Sequence, residues 1–152
     1  MKISGTYSIQ AEQQAVYDVF MNPDAIAKAL PGVDRLVPIE DQLNAWTVTA
    51  KIGIAAVSGM YTGIVRMSDL ASPHHFRLTV DGEGQGSIIG GDVQVDLSYD
   101  AGAGKTTIVW NADANVFGRL AGVGQRLISA AASMLARQFF SSLSRQIPGV
   151  DN

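Results

Sequence analysis

Cysteine is absent from the 152 residues, which removes disulfides, thiolate metal sites and a cysteine nucleophile and leaves the redox compartment undetermined. Histidine is nearly absent. His74 and His75 are adjacent in a Pro-His-His loop, where neighbouring side chains diverge, and no separated histidine or carboxylate partner is evident. A surface turn is expected there, and no metal site. Charge is scarce as well, at 16% of residues with a net of −3, so the basic footprint that displaces counterions from nucleic-acid phosphates is missing. No apolar run approaches the ~18 residues of a membrane-spanning helix. The opening Met1-Lys2-Ile3-Ser4-Gly5 lacks the basic, apolar and small-residue succession of an export signal. A soluble, unexported protein follows as the expectation, cytoplasmic by default.

What the chain does have is apolar residues, 47% of the total, and a length that buries roughly 70% of the unfolded surface in one core. One domain over residues 1–147 with a short tail at 148–152 is expected. Residues 2–9 alternate Ile3, Tyr7 and Ile9 with polar side chains, the period-2 mark of a half-buried strand. Two short helices follow, over 12–20 and from a cap and first-turn proline at Asn22-Pro23 to Leu30, before Pro31-Gly32. Six strand-like runs come next, near 33–40, 45–54, 57–69, 75–83, 86–99 and 106–117, separated by turn residues such as Ser72-Pro73 and Ala101-Gly102-Ala103-Gly104. Their parity sets Trp46, Val48, Ala50, Phe76, Leu78, Val80, Val93, Val95, Leu97, Ile108, Trp110 and Ala112 on one face, which something must cover. The candidate is the segment 118–147, read as one helix with a stripe of Leu120, Val123, Leu127, Ile128, Ala131, Met134 and Leu135. The fold class is therefore α+β: a curved antiparallel sheet of about seven strands wrapped around a long C-terminal helix.

Several apparent motifs lose their chemistry on closer reading. Gly102-Ala103-Gly104-Lys105-Thr106 lacks the earlier glycine of a phosphate-binding loop, Tyr99 standing in its place, and is followed by a strand; a hairpin turn is expected. Gly82-Glu83-Gly84-Gln85-Gly86 lies between two strands, without dinucleotide spacing. Asp92, Asp96 and Asp113 take the polar parity, away from any interior where paired carboxylates would catalyse. No catalytic residue and no cofactor are assigned. From Ala114 to Val150 there are four arginines and no acid, so that segment carries +4 and the remainder −7. Arg119, Arg126 and Arg137 are expected to form an exposed stripe that meets an anionic partner or membrane surface.

The order of elements, Leu30-Pro31-Gly32, the stretch from Ala112 to Ala121 with its Gly118-Arg119-Leu120, and Gln138-Phe139-Phe140 together resemble the CoxG subunit family of carbon monoxide dehydrogenase, within the START and pollen-allergen-like helix-grip superfamily. The similarity covers residues 1 to about 147. It implies a non-catalytic accessory protein of a molybdenum-containing hydroxylase, associated with the inner membrane face and handling a lipophilic ligand such as a quinone or lipid. Where that family usually has a Gly-Pro turn after the third strand, this sequence has Ala55-Ala56.

Joined to the apolar faces, and to the small residues Gly59, Gly63, Ala112, Ala114, Ala130 and Ala131 that interrupt them, the resemblance implies an apolar cavity. Leu30, Trp46, Met60, Phe76, Trp110, Leu127, Ile128, Ala131 and Met134 are the candidate lining. Two alternatives remain: an assembly factor with a filled core, or an enzyme like the helix-grip cyclases and dehydratases. The second is disfavoured by an inner face whose only ionisable groups are tyrosines such as Tyr61 and Tyr99.

Overall fold

The computed structural model describes residues 1–150. β1 (Lys2–Ile9) leads into α1 (Gln13–Phe20) and α2 (Pro23–Ala29). Then come β2 (Val37–Pro38), β3 (Ala45–Ile52), β4 (Gly59–Ala71), β5 (His75–Gly84), β6 (Ser87–Asp100), β7 (Lys105–Gly118) and finally α3 (Gln125–Ser144). All seven strands form one antiparallel sheet, in which β2 to β7 run as a meander and β1 joins the outer edge of β7. The α+β helix-grip class expected from the sequence is the one observed.

Local chemistry explains the punctuation. The Asn22 side chain accepts from the backbone N–H of Asp24 at 3.1 Å and of Ala25 at 3.4 Å, capping α2 ahead of Pro23. Gln85 (φ 55°) and Gly86 (φ 69°) are both left-handed and close a two-residue turn between β5 and β6, the geometry whose twist matches the strands. The Gly102–Gly104 segment is a hairpin turn, where Asp100 Oδ1 accepts from the N–H of Gly102 at 3.0 Å and of Ala103 at 3.2 Å.

Register carries the parity across the sheet. Gly5, Trp110, Val95 and Phe76 stand opposite one another in one row, and Trp46, Val65, Val80 and Gly91 in another, all on the concave face. Asp92, Asp96 and Asp113 project from the convex face, as their parity requires. There Asp96 meets His75 Nδ1 at 2.9 Å and Asp113 meets Lys2 Nζ at 3.2 Å. Asp92 is gripped by Arg77 through two guanidinium nitrogens, which holds its carboxyl below the usual carboxylate range.

α3 lies over the concave face, packed against α2 and β1. An aromatic cluster joins them: Phe20 and Phe76 have ring centroids 4.9 Å apart, Tyr17 and Phe76 6.0 Å, and Tyr7 and Phe140 5.6 Å. Ile147 is buried and Val150 packs against the same core, so the chain stays docked past the helix end; residues 151 and 152 of the expected tail lie outside those described.

Two expectations need correction. Residues 118–147 are not one helix: Arg119–Val123 forms a 3₁₀ turn and α3 begins at Gln125. The cause is Gly118 (φ 87°) and Gly124 (φ 96°), which bracket the turn in conformations no α-helix contains. At about 1.5 Å per residue, the 20 residues of α3 span roughly 30 Å, about two thirds of the length a single helix over 118–147 would have. The strand expected over 33–40 shrinks to two residues because the Leu30–Arg35 segment runs instead as a loop along β3, where Gly32 C=O accepts from Lys51 N–H at 3.0 Å. Gly32 has φ 76° and an added Cβ there would sit 2.0 Å from the Lys51 carbonyl oxygen, so only glycine permits this approach.

Candidate functional site: an apolar cavity under the last helix

Between the concave sheet and α3 lies a cavity of about 390 Å³. Phe76, Leu78, Val80, Val93, Val95 and Trp110 form its sheet side, with Trp46, Val65 and Met67 toward the β3 edge. Leu135, Ala136, Phe139 and Phe140 of α3 cover it, and Phe20, Met21, Pro23, Ile26, Leu30 and Leu36 close the end beneath α1 and α2. Asn44 is the one non-aromatic polar side chain of the lining, and no ionisable group is present. A cavity near 150 Å³ holds a benzene ring. This one therefore suits a bicyclic ring with a short chain, or an alkyl chain of modest length, and lies within the range of small-molecule sites.

A glycine fixes where one of the largest side chains of the cavity wall sits. Trp110 lies flat on β1, where an added Cβ on Gly5 would come 2.8 Å from both its Cζ2 and Nε1 atoms; without that glycine the indole would be pushed off the strand. Gly63 has a different duty from the one its size implies in the sequence: an added Cβ would meet the Asp81 carbonyl oxygen at 2.6 Å, so the glycine lets β4 and β5 approach and does not create the void.

Of the candidate lining residues, the structure brings together Leu30, Trp46, Phe76 and Trp110. The others stand elsewhere. Met60 pairs with Lys51, putting it on the convex parity, 49% exposed. Leu127 and Met134 face outward on α3, 55% and 42% exposed. Ile128 borders a depression with Met1 and Ala114, and Ala131 is buried without lining the cavity. The physical reason is the rotation of α3. Phe139 and Phe140 are larger than any apolar side chain in the first half of the helix, and seating them together with the fully buried Leu143 turns the inner stripe toward Leu135 and Ala136, which leaves Leu127 and Met134 outside. The missed residues carried a signal: Leu135, Phe139 and Leu143 continue at i, i+4 and i+8.

Neither Tyr61 nor Tyr99 lines the cavity. Tyr61 donates to the Val57 carbonyl at 2.6 Å and burial raises its pKa above the ordinary phenol value, while Tyr99 is 40% exposed at the sheet's end. Ala55, standing where the resembled family has glycine, adopts φ 32°, a left-handed conformation that alanine disfavours.

The three arginines are all exposed. Arg126 and Arg137, eleven residues apart, align on the outer face of α3 beside Leu127 and Met134, whereas Arg119 belongs to the 3₁₀ turn ahead of the helix. No helix among the described residues is long and apolar enough to cross a membrane.

Several solved structures share this architecture. A conserved protein from Geobacillus kaustophilus is 27% identical, with a TM-score of 0.91 over 97% of this chain and 95% of that one. A START superfamily protein from Mycobacterium smegmatis superposes with a TM-score of 0.73 at 9% identity, 96% of each chain being covered. The protein Ara h 8.0201 does so with a TM-score of 0.69 at 8% identity, covering 97% of each. At such identities the last two show the fold alone. No curated protein is similar enough in sequence to count as a relative. The sequence pattern of CoxG, a carbon monoxide dehydrogenase subunit, matches residues 5–148, nearly the whole chain, and the protein belongs to that family.

Proposed function

We propose that this protein is a non-catalytic carrier that binds a lipophilic small molecule, a quinone or other lipid, in the cavity under α3 and serves a molybdenum-containing hydroxylase of the CO dehydrogenase type. The observation that carries the reading is the cavity itself: about 390 Å³ lined by apolar and aromatic side chains with no acid, base or nucleophile. Each CH₂ moved into such a space contributes about 0.8 kcal/mol. A ring and several carbons therefore support micromolar affinity after the costs of association. The family name supports the hydroxylase link.

Trp46 and Trp110 are the only tryptophans of the chain and both line the cavity, so a bound quinone quenches all of its indole fluorescence. Titration with a short-chain benzoquinone or naphthoquinone is expected to give saturable quenching with a midpoint in the micromolar range or below. Linear, unsaturable quenching would leave the fold to a purely structural assembly role.

The outer face of α3 supports peripheral contact with an anionic membrane, since exposed Leu127 and Met134 lie beside Arg126 and Arg137. Basic side chains near such a surface contribute about 1 kcal/mol each. The wild type is expected to sediment with phosphatidylglycerol vesicles and not with phosphatidylcholine vesicles. Replacing Arg119, Arg126 and Arg137 together by glutamate is expected to abolish that binding. Equal sedimentation of wild type and triple variant would reduce the arginines to a solvated face.

A further inference from the structure

Beside the apolar cavity, on the other side of Leu30, runs a larger groove of about 980 Å³ whose chemistry is different. Its charged side chains are Lys28 at the end of α2, Arg35 in the loop that follows, Lys51 on β3, and one acid, Asp34. The local balance is thus +2 on a chain whose net charge is −3. Among the described residues none of the three cations has an ion-pair partner, whereas the convex-face Arg66 and Arg77 are both paired. The hydroxyl of Thr49 adds a further hydrogen-bond donor, while that of Thr47 donates to the Val37 carbonyl at 3.4 Å.

Three residues show how the compartments relate. Leu30 lines both. On α3, Gln138 faces the groove while its neighbour Phe139 faces the cavity, the ~100° step of the helix dividing polar from apolar. A molecule occupying both volumes must pass Leu30 with an apolar end inside and a hydrogen-bond-accepting, negatively charged end outside.

We infer that the ligand class this protein selects is the anionic amphiphile, its alkyl end in the cavity and its carboxylate or phosphate in the groove, met by Lys28, Arg35 and Lys51. This rests on the carrier reading above and narrows it: burial in the cavity supplies affinity, and the basic groove discriminates among lipophilic molecules by charge. Lysine and arginine side chains without ion-pair partners, in a groove that shares Leu30 with the cavity, favour an anion over a neutral head of equal size.

Isothermal titration calorimetry at pH 7.5, where carboxylate and phosphate are ionised, tests it with decanoate, decyl phosphate, 1-decanol and inorganic phosphate. On the wild type, decanoate and decyl phosphate are expected to bind at least tenfold more tightly than 1-decanol, and inorganic phosphate not measurably. In the variant carrying Lys28→Glu, Arg35→Glu and Lys51→Glu, all exposed positions, the preference is expected to vanish while 1-decanol binds as before. Equal affinity for acid and alcohol in the wild type ends this inference and leaves the carrier reading standing. So does a preference that survives in the variant. Phosphate binding as tightly as decyl phosphate also ends it, by showing a free-anion site unconnected to the cavity. Absence of binding by every tailed probe overturns both readings together. Lys51→Gln alone, which removes one charge without reversing it, is expected to weaken decanoate severalfold and serves if the triple variant does not fold.

Discussion

Phe76→Ala is expected to lower the unfolding free energy by about 3–5 kcal/mol, the cost of removing a buried phenylalanine whose surroundings cannot collapse. Phe76 is fully buried at the centre of the sheet's concave face, with Tyr17 and Phe20 against it from α1 and Val95 beside it in the sheet. It also lines the cavity, so its loss enlarges an existing void rather than opening one that neighbours could fill. Small domains are stable by roughly 5–15 kcal/mol, so this single change removes a large fraction of the total. Urea unfolding should show the midpoint falling with the slope unchanged. Phe117→Ala is the matched control, since Phe117 is 63% exposed and its loss should cost less than about 0.5 kcal/mol. If the two variants lose similar amounts, the α1–sheet aromatic cluster is not what holds the core.

Ala136→Trp is expected to abolish ligand binding while leaving the protein folded. Ala136 lies on α3 over the cavity, so an indole at that position projects into unoccupied volume. Thermal unfolding with and without a short-chain quinone reads the effect free of the added fluorescence. At a ligand concentration 100 times the dissociation constant, the wild type gains about 2.7 kcal/mol, a rise in Tm of about 5–10 °C for a domain of this size. The variant should show almost no rise. Ala131→Trp gives the contrast: Ala131 is buried without lining the cavity, so overpacking should cost about 1–3 kcal/mol, while the ligand-induced rise persists. A wild-type shift retained in Ala136→Trp would place the ligand outside the cavity.

These two variants also mark where the sequence is a sufficient guide. Phe76 is identified by parity alone, because alternation along a strand is a local property and a register that pairs Val95 with both Phe76 and Trp110 carries it unchanged across the sheet. Ala136 is not so identified. A helical stripe read from Gly118 onward points to Leu127 and Met134, while the competing stripe of Leu135, Phe139 and Leu143 is equally regular, and only the packing of Phe139 and Phe140 against the core decides which of the two faces inward.

The order of elements, the capped second helix, the hairpin turns, the inner faces of the strands and the family were determined by the sequence itself, since each depends on neighbours within a few residues or on a pattern spread along the chain. Three things were decided only by tertiary structure. The rotation of α3 follows from contacts with Tyr7 and Phe20, more than a hundred residues earlier. The loop over 30–35, which shortens the strand expected at 33–40, depends on Gly32 meeting Lys51 across the β3 edge. The place of Trp110 in the cavity wall depends on Gly5, which leaves room for the indole against β1, a consequence of strand pairing between the first strand and the last. Each is a contact between residues distant in sequence, where side-chain volume and backbone approach choose among arrangements that local propensity leaves equal.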